Sequence, residues 1–150
     1  MLRQFSAVLL GALVIGSGSS GCSSQPVSAE DEATTDLREI ARAYEVVIAA
    51  SNRPPRELEQ IKKVLTDLHT DGLVTDDPED VLISPRDGQP YVIIMGAAAG
   101  DENPKDILAY ESKGAGGVRY VLLMSHDVRQ MTVDEFNQAT FATGHEPAGG

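Results

Sequence analysis

Few stretches of this 150-residue chain hold side chains that could do chemistry. Ser125-His126-Asp127 has the composition of a hydrolytic triad. A triad works with the imidazole held between nucleophile and carboxylate, which three consecutive residues of a turn do not achieve. The stretch therefore reads as a tight reversal. His69 and His145 stand apart from it, and no HExxH-type pair joins any two of the three histidines, so no zinc site is expected. The acidic stretch from Asp71 to Asp80 includes Asp76, Asp77 and Glu79 and offers the hard oxygens that calcium takes. Pro78 breaks the alternation of an EF-hand loop, and no glycine or terminal glutamate falls at the needed offset, so a solvated acidic loop is expected. Gly96-Ala-Ala-Ala-Gly100 lacks the Gly-Lys-Ser/Thr of a phosphate loop and reads as a reversal after a strand. These patterns assign no catalytic residue, metal ligand or cofactor, and the expectation is a protein that is not an enzyme.

The remaining reactive side chain is Cys22. A lone cysteine forms no internal disulfide and no multi-thiol metal site. It follows Arg3, the apolar run Phe5 to Ile15 and the small residues Gly16 to Gly21, an arrangement that reads as an export signal. The run is shorter than the roughly 20 residues needed to cross a bilayer. Gly21-Cys22 resembles the end of the bacterial lipoprotein signal, although Ser19 stands where that family usually carries Leu or another aliphatic. The resemblance implies a diacylglyceryl thioether on Cys22, cleavage before it, and acyl chains that make the membrane a partner. The alternative is ordinary secretory cleavage among Gly16 to Gly21, with Cys22 left as a spare thiol. Lipid anchoring places the protein in the cell envelope, facing the periplasm or the exterior. The formal net charge of -11 repels phosphates, so no nucleic-acid partner is expected.

Beyond the signal, assigned to residues 1–21, residues 22–34 are polar, poor in large apolar side chains and read as a flexible tether. An α+β globular domain is expected over 35–143 and a disordered tail over 144–150. Leu37, Ile40, Ala41, Tyr44, Val47 and Ile48 recur at helical spacing and predict a helix over 35–51. Asn52-Arg53-Pro54-Pro55 ends it, and Pro55 is expected to open a second helix striped by Leu58, Ile61, Leu65 and Leu68. Tyr91 to Met95 is continuously apolar and reads as a central strand; Ile107 to Tyr110, Val118 to Met124 and Val128 to Met131 follow as further strands. Thr132-Val-Asp-Glu135 is a capping box for a last helix running to about Thr143, with Val133, Phe136 and Thr140 facing inward. The expected architecture is two N-terminal helices on a small antiparallel sheet of about four strands, closed by a short C-terminal helix.

The stretch Ser84-Pro-Arg-Asp-Gly-Gln-Pro-Tyr91, following a helix and a Pro-led helix and leading into a strand, resembles the globular part of type II secretion pseudopilins. Pro85, Gly88, Pro90 and Tyr91 match that family's turn motif; Asp87 is displaced from its acidic position, and Arg86 stands where an aromatic is common. The prepilin start is absent, and the later turns lack the family's calcium-binding aspartates, so no metal site carries over. The residues also suit an ordinary turn before a strand. Together the two resemblances imply a lipid-anchored envelope domain that binds another protein or supports an assembly. The alternative is a ligand- or cation-binding lipoprotein with a pocket near Tyr91 and Tyr110.

Overall fold

The computed structural model describes residues 27–98 and 103–147. The signal segment 1–21, Cys22, residues 23–26, the 99–102 part of the glycine-bounded loop and residues 148–150 lie outside the described residues.

Helix α1 spans Ala29–Ser51. It starts earlier than its apolar stripe suggests because the Ser28 side chain accepts the Asp31 N–H at 3.1 Å, and Glu30, Asp31 and Glu32 place negative charge at the positive end of the helix. Residues 29–34, expected in the tether, are therefore helical, and Ala33 is fully buried. Asn52 ends α1 in the left-handed region (φ 54°), donating its N–H to the Ile48 carbonyl at 2.7 Å. Helix α2 spans Leu58–Thr70, not from Pro55. The Gln60 side chain accepts the backbone N–H groups of Arg56 (2.7 Å) and Glu57 (3.2 Å) and closes the first turn there. Pro55 is instead buried, and its carbonyl accepts the Gly96 N–H at 2.8 Å, tying the interhelix corner to the chain beyond the first strand.

The sheet is antiparallel, in the order β1 (Val92–Ile93), β2 (Ile107–Tyr110), β3 (Val118–Leu123), β4 (Val128–Thr132). The α+β architecture of helices, four antiparallel strands and a short C-terminal helix is thus observed. The apolar run at Tyr91 is an edge strand two residues long, not a central one. Its continuous apolar character comes from cover on both faces. Tyr91 and Ile94 belong to the core beneath α1 and α2, and Val92 packs against a smaller core on the other face.

Those two cores depend on an irregularity in β2. Ile107 pairs with Leu123 and Tyr110 with Val121, but Ala109 is the partner of Leu122, so a bulge falls at Leu108 and Ala109. Leu108 and Ala109 both join Leu122 in the helix-side core with Leu37, Ile40, Ile61 and Leu65. Ile107 and Tyr110 both join Val121, Leu123 and Phe136 in the other. Each fully buried Leu or Ile contributes about 1.5–3 kcal/mol. The Tyr44 hydroxyl accepts the Ala97 N–H at 3.0 Å and lies 3.1 Å from the Ile94 and Ala97 carbonyls, which fixes α1 to the β1 edge.

Helix α3 spans Val133–Gln138 and begins with the expected capping box, Glu135 N–H to Thr132 Oγ1 and Thr132 N–H to Glu135 Oε2. It stops short of Thr143. Residue 139 is extended, Phe141 makes a parallel bridge to Ile107, and Ala142–Gly144 form a 3-10 turn. Phe136 is buried as expected, whereas Val133 and Thr140 are exposed, and Thr140 lies beyond the end of α3. Residues 144–147 are not a frayed tail: the His145 N–H donates to Ala142 O at 3.1 Å, and the ring packs on Tyr110 and Phe141. No described helix is long and apolar enough to cross a membrane.

Candidate functional site

The Ser84 to Tyr91 turn is held by a dense set of hydrogen bonds. The Ser84 N–H donates to Gln89 O (2.9 Å) and the Gly88 N–H to Ser84 O (2.8 Å), which forces Gly88 to φ +65°. Asp87 Oδ1 accepts the Gln89 N–H, while its Oδ2 reaches across to the loop between β2 and β3 and accepts the N–H groups of Lys113 (2.9 Å) and Gly114 (2.8 Å). Burial raises the Asp87 pKa, but these backbone donors outweigh it and hold the carboxyl below its usual range. Gly114 has to be glycine. A Cβ there would lie 2.3 Å from the Val118 carbonyl oxygen, on a backbone already at φ +71°.

Beneath the turn sits Glu111, completely buried. It accepts from Ser84 Oγ (2.7 Å), Arg86 Nη1 (2.6 Å) and the Tyr120 N–H (2.8 Å). Arg86 also donates to Ala115 O at 3.0 Å and lies 4.4 Å over the Tyr120 ring. A buried carboxylate needs this degree of pairing to remain charged inside the fold. Of the four motif residues, Pro85 is half-buried and Gly88 takes the positive φ. Pro90 is exposed and bridges Ile83, and Tyr91 is buried with its hydroxyl 3.4 Å from Asp36 Oδ2 on α1.

Asp36 opens onto an acidic cleft of about 250 Å³ shared with Glu32, Asp76 and Asp80. Burial first, then the charge of Glu32, with smaller contributions from Asp76 and Glu39 opposing the Tyr91 hydrogen bond, push its pKa from 3.8 up to about 7. Elsewhere in the acidic stretch, Asp77 Oδ1 accepts the Glu79 N–H, and Glu79 pairs with Lys62 at 3.1 Å. Among the described residues no cluster of three or more His, Cys, Asp or Glu is placed to hold a metal ion.

Ser125 Oγ donates directly to Asp127 Oδ2 at 3.0 Å, and the His126 ring turns away to Glu45 on α1, with Nδ1 3.1 Å from Oε1. The imidazole does not lie between the other two groups. Tyr91 and Tyr110, expected around one pocket, lie on opposite faces of the sheet because the β2 bulge sends Tyr110 to the smaller core.

That smaller core has a cavity of about 490 Å³ at its outer edge, lined by Arg119, Phe136, Asn137, Phe141, His145 and Glu146 among others. Phe136 and Phe141 meet edge to face at 5.3 Å, Arg119 lies 4.4 Å over the Phe136 ring, and the Tyr110 hydroxyl is hydrogen-bonded to His145 Nε2 at 3.1 Å. Burial raises the Tyr110 pKa, partly offset by the Arg119 charge. Residues 144–150 read as a polar tail in the sequence, which conceals this cavity. The available signal is the placement of two of the three Phe residues so close to His145. No protein-family model, curated protein or solved structure matches the chain.

Proposed function

We propose that this chain is an exported protein anchored to a membrane through acyl chains on Cys22, whose α+β domain acts by binding another envelope protein rather than by catalysing a reaction. The observation that carries the reading is Gly21-Cys22 after the apolar run Phe5 to Ile15, with a folded helix capped by Ser28 only a few residues downstream. Two further features support it. The buried carboxylates Glu111 and Asp106 are engaged within the fold, Glu111 with Ser84 and Arg86 and Asp106 with Thr140 and the Asn103 N–H. Exposed Leu58 and Ile83 flank a groove of about 170 Å³ rimmed by the Lys62–Glu79 pair, an apolar patch with a polar border of the kind that protein partners cover.

Metabolic labelling with a palmitate analogue tests the anchor. The wild-type chain takes up label and stays with membranes, and Cys22→Ala loses both while still folding, since the thiol lies outside the described fold. Label retained by Cys22→Ala would refute anchoring at that residue. Crosslinking in membranes tests the second half: a discrete protein adduct is expected, and its reduction by Ile83→Asp locates the surface. An adduct pattern indifferent to both changes would defeat the interaction reading.

A further inference from the structure

We propose that the cavity at the edge of the smaller core binds a small zwitterion with an aromatic or branched aliphatic side chain, of which a free amino acid is the simplest. The proposal goes beyond the anchored interaction domain and stands independently of the anchor. At about 490 Å³ the cavity falls within the roughly 300–1,000 Å³ of ordinary small-molecule sites. Its walls are chemically divided. Phe136 and Phe141 supply an apolar floor whose ring edges are already fixed by each other and by Tyr110, so little ordering remains to be done when a ligand arrives.

The polar part is a pair of opposite charges. Arg119 lines the cavity and stacks on Phe136, yet its guanidinium forms no ion pair among the described residues. Five N–H donors in a planar fork suit a carboxylate, which they bind in bidentate fashion. Glu146 lines the same cavity, is exposed, and likewise makes no ion pair among the described residues. Charges that share a cavity without pairing with each other fit a ligand that carries the complementary two. A simple anion would face Glu146 and a simple cation would face Arg119, so each would leave one charge repelled. Asn137, at the cavity wall, adds an amide that can donate to a carboxylate or accept from an ammonium. The His145 ring, held by the Tyr110 hydroxyl, fixes the segment that carries Glu146.

Phenylalanine titrated into the purified full-length chain, followed by calorimetry, tests the assignment against phenylacetate, which lacks the ammonium, and phenethylamine, which lacks the carboxylate. Phenylalanine is expected to bind at least about tenfold more tightly than either. In spectra of labelled protein, the amide shifts it causes should centre on Asn137, Thr140 and His145. Glu146→Gln, at an exposed position beyond the last helix, should leave the unliganded melting temperature unchanged and reduce phenylalanine to the affinity of phenylacetate. Arg119→Gln should remove the advantage of phenylalanine over phenethylamine, with circular dichroism confirming the fold, because Arg119 also packs on Phe136. Equal binding of the three probes, no effect of Glu146→Gln, shifts centred elsewhere, or no saturable binding at millimolar phenylalanine would each overturn the proposal.

Discussion

Replacing Asp36 by Asn should make the protein more stable at pH 8 and change it little at pH 4. In the folded chain the carboxyl keeps its proton up to about pH 7, because it is buried and faces Glu32, with Asp76 and Glu39 adding to the effect. In the unfolded chain it loses the proton near its ordinary value of 3.8. Between those values the native state binds more protons than the unfolded state, so stability falls as pH rises through the window and levels off above about 7. At about 1.4 kcal/mol per pH unit, the interval sets a ceiling near 4 kcal/mol. Asp36 is buried but borders a cleft, and relaxation around the charged form brings the expected penalty to about 2 kcal/mol. Asn keeps an acceptor for the Tyr91 hydroxyl and removes the titration. The chain contains no Trp, so urea unfolding followed by circular dichroism from pH 4 to pH 8 is the suitable assay. An Asn variant with the wild-type pH slope, or one less stable than wild type at pH 8, would refute the assignment of that slope to Asp36.

Gly88→Val should cost about 1–3 kcal/mol, since Gly88 sits at φ +65° with open space around a Cβ, so that the backbone conformation alone is strained; an unchanged unfolding midpoint would place Gly88 in extended chain instead. Glu111→Ala should cost about 3–5 kcal/mol by stranding Arg86 without its carboxylate, and pairing it with Arg86→Met should recover much of that loss in the same unfolding assay. Thr132→Ala should remove about 1 kcal/mol by opening the first turn of α3, with the loss read from thermal melts.

The sequence disclosed most about elements whose signals are local. The stripe from Leu37 to Ile48 and the Thr132 capping box each concern neighbours along the chain, and each is found where its pattern places it. What escaped are the relations across distance. Pro55 looks like the first residue of a helix until its burial against the chain beyond β1 is known. Tyr91 to Met95 looks central because apolar continuity reports cover on both faces and is silent about neighbours within the sheet. The turn motif was legible as a turn, but not Asp87 reaching Gly114 or Arg86 reaching Glu111, since no local spacing encodes contacts made so far along the chain. The cavity under Phe141 stayed hidden for another reason: small and polar residues around 144 suggested fraying, whereas the bridge from Phe141 to Ile107 and the contacts of His145 with Tyr110 and Phe141 are made across the fold.

The bulge in β2 also marks where this chain can vary by descent. Leu108 and Ala109 share the helix side of the sheet, while Ile107 and Tyr110 share the other. A single-residue deletion at Leu108 or Ala109 would therefore remove the bulge and restore strict alternation with Ile107 and Tyr110 still on their own side, at the cost of one buried side chain beneath the helices. An insertion of one residue between Ala109 and Tyr110 would instead turn Tyr110 away from Phe136 and Phe141. Relatives of this protein should therefore tolerate a one-residue gap at the bulge and no added residue there, a pattern that an alignment would reveal.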